Sequence, residues 1–487
     1  MIQGTSSNCG KSLIVTALCR IAKQKGIKVA PFKAQNMSLQ SFVTEEGGEI
    51  GLAQAIQAEA AGVIPSFHMN PVLLKPAGGQ GIQAVVHGKL YKTLKSHDFY
   101  SEKKKLWEAV KESLDYLCRE YELLVIEGAG SPAEINLLEN DIVNMAVADY
   151  LKAPVIIVGD IDRGGVFASV YGTVKLLEEY ESLIKGFIIN KFRGYMDILS
   201  PGIKKFEEII KKPCLGVLPY INETGISEED GVSTRLQNSF SFKSDAAVKL
   251  VILRLRYISN FSDFEPLRFE PDVEIVYSLR KEDLLNADII IIPGSKKTFD
   301  DLKLLKELKI DKTLRRLSRD VEIIGICGGF QMLGEKLIDP HMVESSMREF
   351  DGLGMLPVKT VFYPEKITTQ VEGYLCSQPS VKITGYEIHK GVSYGDMNLF
   401  KIKRRVTNET LFDGVSSENI WGTYIHGLFE SDGLRRWLIN RQRIKKGLNP
   451  IDYTFSWRKL KESFLDSLAE TVEEHLDMDK LWKIAGL

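Results

Sequence analysis

The stretch Glu322-Ile-Ile-Gly-Ile-Cys-Gly-Gly-Phe-Gln-Met-Leu-Gly334 changes its periodicity halfway along. Val321 to Ile326 reads as a buried strand, and Phe330 to Leu337 as the start of a helix. Between them, Gly325-Ile-Cys327-Gly-Gly329 has the G-x-nucleophile-x-G spacing of a nucleophile elbow. Glycines there relieve crowding around a strained turn that holds the nucleophile clear of the sheet. Cys327 is therefore the candidate nucleophile. A helix N-terminus behind it favours thiolate over thiol, and backbone N–H groups of the turn, Gly328 among them, can hold an oxyanion. The competing reading is a buried structural cysteine, the ordinary fate of the residue; the flanking glycines and the strand-to-helix context weigh against it.

A thiolate needs a proton partner, usually histidine. His426 in Trp421-Gly-Thr-Tyr-Ile-His-Gly427 and His389 in Gly385-Tyr-Glu-Ile-His389 both follow strand-like runs downstream of the cysteine. Spacing alone does not choose between them.

At 487 residues the chain exceeds one ordinary core, and two large or three smaller domains are expected. Hydrophobic content of 44% with 26% charged residues describes a globular composition. A net charge of −2 offers no global attraction to nucleic acid or membrane. Six cysteines lie scattered without C-x-x-C pairing, which suggests neither a zinc site nor a disulfide framework. With no basic-then-apolar leader and no long apolar run, a cytoplasmic protein is expected. The oligomeric state is not legible.

Gln3-Gly-Thr-Ser-Ser-Asn-Cys-Gly-Lys-Ser12 is a variant phosphate-binding loop in which Gly4 stands one residue further upstream than G-x4-G-K-[ST] requires. Gly4, Thr5, Asn8 and Gly10 belong to the loop whose N–H groups would cradle phosphate. Lys11 would reach the terminal phosphates of ATP, and Ser12 would ligate Mg²⁺. A helical pattern from Leu13 to Ala22 follows, as the motif demands. The preceding strand has only Met1 to Gln3 available, so either it is stunted or the native start lies upstream. Val29 to Lys33 is a strand leading to Lys33-Ala-Gln-Asn-Met-Ser38, and Met69 to Pro76 leads to Gly78-Gly-Gln-Gly81. Lys33 and Lys75 are candidates to stabilise a transferring phosphoryl group, evenly balanced against solvated surface lysines.

Leu123 to Ile126 is a strand ending in Glu127-Gly-Ala-Gly-Ser131, which places Glu127 at the crevice of a doubly wound sheet as a second Mg²⁺ ligand. Val155 to Val158 delivers Asp160-Ile-Asp162-Arg163 to the same edge, as candidates for the substrate pocket. Phe187 to Ile189 delivers Asn190, whose amide could read a purine edge. The basic runs Lys103 to Lys105 and Lys401 to Arg405 are short and read as solvated faces.

GICGGFQMLG followed by GTYIHG resembles a class I glutamine amidotransferase domain of the cobyric acid synthase family. KAQNMS, MNPVLLKP, EGAGSPAEINL, VGDIDRGGVFAS and NKFRG resemble that family's synthetase half, which is similar in fold to dethiobiotin synthetase. The resemblance runs on through Ile258-Ser-Asn-Phe-Ser-Asp-Phe264 to the C-terminal end. It assigns the base role to His426 and favours an oxyanion role for Gly294, which could otherwise be only a turn residue. Most class I glutaminases place a glutamate two residues after the histidine, and Leu428 stands there. This resembles the family's Cys/His dyad, and no third member is nominated. Small departures include Tyr195-Met196 after NKFRG and Tyr257 where the family tends to be basic.

The fold expected is α/β with two doubly wound domains. Residues 1–240 form a P-loop amide-synthetase domain and 247–445 the amidotransferase domain, with the boundary in the serine-rich stretch 238–246; 446–487 forms a helical extension packed on the amidotransferase domain. The implied chemistry is glutamine hydrolysis at Cys327, with the ammonia attacking an acyl phosphate made with MgATP. The resemblance, and nothing in the residues themselves, implies a corrinoid acceptor amidated at its b, d, e and g carboxylates. The alternatives weighed are a cobyrinic acid a,c-diamide synthase, a ParA- or MinD-like ATPase switch, disfavoured because Thr5 to Asn8 lacks their extra lysine, and an inert glutaminase fold retained for dimerisation.

Overall fold

The computed structural model describes residues 1–76, 81–94, 98–221, 242 and 246–487. The chain divides into two compact units, one of Met1–Ser38, Glu49–Glu228 and Lys461–Leu487, the other of Leu39–Gly48 and Glu229–Leu460. Most of the serine-rich stretch 238–246, and Gly78 to Gln80, lie outside the described residues.

In the first unit, Ile2–Gly4, Val155–Asp160, Ile184–Phe192 and Cys214–Pro219 form a parallel sheet in that order. Val29–Phe32 and Leu123–Ile126 pair in parallel beside it, joined by a single parallel bridge between Ile2 and Glu127. The strand order reverses at Ile2–Gly4, so the loop that follows opens at the switch-point crevice where such sheets bind ligands. The opening strand is three residues long, as its stretch of sequence allows. Its two-sided burial between apolar strands compensates for its length: Ile2 and Val158 are both buried. A second sheet orders Gln35–Met37, Val72–Pro76, Ile82–Val86 and Lys89–Leu94.

The last two helices, Trp457–His475 and Met478–Ala485, correct the expected third segment. From Lys461 onward they belong to the first unit. Leu465, Leu468, Val472 and Leu476 pack into one core with Ile14, Leu18 and Ile21 of the phosphate-loop helix Lys11–Gln24. Arg20 of that helix is buried and bonds Glu462 at 2.5 Å and Asp466 at 2.7 Å. An apolar stripe at helical spacing declares that a partner exists but not which one, and sequence adjacency to the amidotransferase half was a poor guide. Leu39–Gly48 is likewise grouped with the second unit, where Gln370 Nε2 donates to Val43 O at 2.9 Å.

In the second unit, Val273–Ser278, Val248–Leu253, Ile289–Ile292, Glu322–Ile326 and Ile420–Thr423 are parallel neighbours, with Val415–Ser417 antiparallel at the edge. Beside them, a long hairpin of Lys359–Leu375 and Gln378–Tyr394 anchors a mixed, mostly antiparallel sheet that the sequence pattern does not announce. The helix after the elbow runs only from Gly328 to Leu333, shorter than the expected pattern, because Lys336–Ile338 becomes a strand pairing with Lys359–Val361.

Close approach makes Gly329 obligatory. A Cβ there would lie 1.9 Å from the Ile292 carbonyl oxygen, a backbone atom with nowhere to move. Gly329→Ala is expected to cost about 3 kcal/mol or more by overpacking. Thermal denaturation should show a fall in Tm of several degrees, and an unchanged Tm would contradict the close approach.

Candidate functional site

The elbow is built as the spacing demands. Cys327 follows the fully buried strand Glu322–Ile326 with φ 50° and ψ −105°, a conformation a non-glycine residue adopts only when its surroundings impose it. Its N–H is taken by Thr423 O at 2.8 Å on the neighbouring strand, and its carbonyl accepts from Gln331 N at 3.1 Å. The Gly328 N–H opens the helix, where no intrahelical acceptor exists. A Cβ on Gly328 would lie 2.9 Å from Ser295 N, and one on Gly294 would lie 3.0 Å from His426 Cε1. The two glycines named as oxyanion donors therefore flank the same few ångströms as the cysteine and the histidine.

Ile420–Thr423 lies beside the elbow strand in parallel and delivers His426 to it. His426 is buried, near enough to Cys327 for the sulfur's charge to act on it, and stacked 5.5 Å from the Tyr386 ring. His389, the rival histidine, is turned into a separate network. Its Nδ1 meets Gly391 O at 2.6 Å, its Nε2 meets Glu387 at 3.3 Å, and its ring stacks on Tyr424. Arg404 holds that Glu387 with two hydrogen bonds, so part of the 401–405 run is structural rather than a solvated face.

His426 has a carboxylate partner, and it comes from an unexpected place. Asp263 Oδ2 lies 2.6 Å from His426 Nδ1, and its Oδ1 accepts from Gly427 N at 2.9 Å. Burial by itself disfavours the cationic imidazole, but the charges and hydrogen bonds of Asp263 and Cys327 outweigh it and hold the His426 pKa up at about 10. Asp263 sits in a buried turn, Phe261–Phe264, entered through Asn260 in the left-handed region. Asn260 Nδ2 donates to Tyr386 OH at 3.0 Å, and Tyr386 OH donates to Ser41 O at 3.0 Å. The signal available in the sequence was Ser-Asn-Phe-Ser-Asp-Phe264 itself, which lies far upstream of the position where an acidic partner was sought.

In the first unit the phosphate loop turns through Asn8 (φ 59°) and Gly10 (φ 100°) into its helix. Asn190 braces it: Nδ2 donates to Cys9 O at 2.8 Å, and a Cβ on Gly10 would lie 2.0 Å from that nitrogen. In this structure the amide is engaged by the loop rather than turned toward a base. Lys11 Nζ rests on Ser6 O at 2.9 Å and Gly130 O at 3.0 Å.

Glu127 is buried with both carboxylate oxygens engaged. Oε1 accepts from Ser12 Oγ at 2.8 Å and Lys33 Nζ at 2.9 Å, and Oε2 from Gln57 Nε2 at 2.6 Å. Burial pushes its pKa upward, but Lys33 and the three donors prevail and keep it lowered. Of the two candidate lysines, Lys33 thus reaches the site, whereas Lys75 is buried in an ion pair with Glu49. Ser12 and Glu127 are two hard oxygen donors side by side, the set expected for a Mg²⁺ that draws its remaining ligands from phosphate and water. The described residues contain no cluster of three or more His, Cys, Asp or Glu side chains able to cage a metal.

Asp160 accepts from Asp162 N at 2.9 Å and pairs with Lys191 at 3.0 Å; Arg163 is exposed. Asp160 is buried while Asp162 is exposed, and none of the three lines the cavity of about 580 Å³ at this edge. That cavity is instead lined by Thr5 to Ser7, Ala129 to Pro132 and the segment from Leu137 to Asn144. Lys103, expected to be simply solvated, is also on its wall.

A P-loop crevice on one sheet and a cysteine elbow with its histidine on another define a nucleotide-binding unit joined to a glutamine amidotransferase. Residues 1–234 match the CobQ/CobB/MinD/ParA nucleotide binding domain, and residues 249–434 the CobB/CobQ-like glutamine amidotransferase domain. The chain is 79% identical to the cobyric acid synthase of Thermodesulfovibrio yellowstonii, over all of this chain and 99% of that one. It is 47% identical to that of Caldanaerobacter subterraneus over 99% and 98%, and 46% identical to that of Clostridium botulinum strain Loch Maree over 100% and 99%. The chain belongs to the cobyric acid synthase family. Among the described residues, no helix is long and apolar enough to cross a membrane.

Proposed function

We propose that this chain amidates the b, d, e and g carboxylates of adenosylcobyrinic acid a,c-diamide, using glutamine as nitrogen donor and ATP as the source of activation. The observation that carries the reading is the pairing, in one chain similar end to end to cobyric acid synthases, of the Cys327–His426–Asp263 constellation with the phosphate loop and its Lys11, Ser12 and Glu127.

In the glutaminase half, the Cys327 sulfur adds to the carboxamide carbon of glutamine. The N–H groups of Gly328 and Gly294 would hold the developing oxyanion. Protonated His426 gives its proton to the departing nitrogen, releasing ammonia and leaving a glutamyl thioester; it then takes a proton from the water that frees glutamate. Asp263 keeps the imidazole in the tautomer and orientation this requires.

In the synthetase half, a carboxylate oxygen of the acceptor attacks the γ-phosphorus of ATP, and the bond to the bridging oxygen of ADP breaks. Lys11 accompanies the phosphoryl group, and Lys33 holds Glu127 ionised. Ser12 and Glu127 would hold Mg²⁺, which supplies charge neutralisation at the phosphates. Ammonia then attacks the acyl carbon, inorganic phosphate leaves, and the amide remains.

The test is mass spectrometry of adenosylcobyrinic acid a,c-diamide incubated with the protein, MgATP and glutamine labelled with ¹⁵N at the amide. Four successive labelled amidations are expected. In a parallel incubation with cobyrinic acid, labelling only of the a and c positions, with the a,c-diamide left unchanged, would point to the a,c-diamide synthase activity instead; no change in either corrinoid despite continuing glutamine hydrolysis would reject the acceptor.

A further inference from the structure

We infer that the segment Leu39–Gly48, far upstream of the cysteine and histidine motifs, is a working part of the glutaminase: Gln40, Ser41 and Tyr386 position the Asp263 turn, and through it His426, for proton transfer. The inference rests on the reading of Cys327 and His426 as a glutaminase, and adds the residues that hold its carboxylate in place.

Three residues close a ring of hydrogen bonds. The Ser41 N–H donates to Asn260 Oδ1 at 3.4 Å, Asn260 Nδ2 donates to Tyr386 OH at 3.0 Å, and Tyr386 OH donates to Ser41 O at 3.0 Å. All three residues are buried. Burial and the neighbouring charge of Asp263 push the Tyr386 phenol well up, so it stays protonated and remains a donor. One residue earlier in the segment, Gln40 Oε1 accepts from Ser262 N at 3.2 Å. Asn260 and Ser262 are the residues that lead the chain into Asp263, and the segment grips both.

Tyr386 joins the ring to His426. The backbone N–H of each donates to the carbonyl of the other, at 3.0 and 2.8 Å, and their rings stack with an interplanar angle of 22°. A Cβ on Gly385 would lie 2.3 Å from His426 O, so the two chains meet at closest approach there. One set of contacts therefore fixes the imidazole and the carboxylate that orients it.

The character of these contacts argues for positioning rather than bulk stability. Buried polar groups that exchange water for one another gain little net free energy, but a satisfied network specifies a single geometry. Asn260 stands at φ 50°, ψ 43°, a left-handed conformation that its surroundings must maintain. At its other end the segment is tied down as well, since Gln370 Nε2 donates to Val43 O at 2.9 Å and Arg405 pairs with Glu45. A strap fixed on both sides of the turn supplies the tolerance of about 0.5 Å that a catalytic constellation requires.

The test is glutamine hydrolysis by full-length Tyr386→Phe and Gln40→Ala proteins, each made in the wild-type and in the Asp263→Asn background. Tyr386→Phe keeps the ring on His426 and removes only the hydroxyl. Gln40→Ala leaves the hydroxyl in place and removes the acceptor of the Ser262 N–H. In the wild-type background kcat is expected to fall at least about tenfold while the KM for glutamine moves less than about twofold, because the orientation of His426 is felt in the transition state and not in binding. In the Asp263→Asn background the same changes should cost less than about twofold, since the carboxylate they position is already gone. A kcat unchanged in both variants, a loss of equal size in the two backgrounds, or a raised KM at constant kcat would overturn the inference. Should Tyr386→Phe fail to fold, Gln40→Ala decides alone. Hydrolysis that survives Cys327→Ala is a different failure, that of the glutaminase reading itself.

Discussion

Cys327→Ala is expected to lower glutamine-dependent amidation by about 10⁵- to 10⁶-fold, the scale seen when a nucleophile acting as part of a unit is removed, while amidation fed by ammonium persists. The division follows from where the residues lie. Cys327 belongs to the elbow of the second unit, and nothing in the phosphate loop, Lys33 or Glu127 depends on its sulfur. The substitution removes one small side chain at a position whose backbone is held by Thr423 O and Gln331 N, so the fold should survive. Measuring both rates on the same preparation separates the two chemistries. Glutamine-dependent turnover that survives would refute Cys327 as nucleophile, and loss of the ammonium-dependent rate would indicate damage beyond the glutaminase.

Asp263→Asn should reduce kcat/KM for glutamine hydrolysis by about 10²- to 10⁴-fold, by analogy with loss of the orienting carboxylate from a nucleophile–histidine pair. Asp263 acts through His426, so its signature is a pH profile. With the carboxylate present, the folded pKa of His426 is raised from 6.5 to about 10. The protonated imidazole needed by the leaving nitrogen therefore persists until the pH rises through about 10. Removing the carboxylate leaves burial less opposed, the pKa falls, and the alkaline limb of the rate profile moves toward neutrality. The same linkage appears in stability. A histidine with a raised folded pKa contributes stability that is fully present below its unfolded value and lost as pH rises through the folded one. The stability gap between wild type and Asp263→Asn should thus be widest near pH 6.5 and narrow toward pH 10. A lower rate with an unmoved alkaline limb would assign Asp263 a purely structural role.

Much of this was written in local sequence. Glycine spacing around Cys327 specified an elbow because only residues lacking a Cβ fit where Gly329 meets Ile292 O. Gly-Lys-Ser12 before a helical pattern specified a phosphate loop, and Glu127 at the end of a short apolar strand placed a carboxylate beside Ser12. In each case the residues that make the chemistry are neighbours in the chain, or are delivered by adjacent strands whose ends share one edge of a parallel sheet. Local sequence can therefore announce them.

Tertiary structure alone decided what depends on distant partners. His426 and His389 follow similar strands, and only the packing turns one toward Cys327 and the other toward Glu387. Asp263 lies 163 residues from the histidine it orients, beyond the reach of any spacing rule. Lys33 and Lys75 were equivalent on paper until Glu127 and Glu49 separated them. The C-terminal helices carry an apolar stripe whose period is plain, yet the surface it covers belongs to the phosphate-loop helix at the opposite end of the chain. Periodicity encodes which face of an element must be buried, because burial is a property of each side chain. The partner that buries it is a property of the whole chain, and emerges only when all the apolar faces compete to leave water.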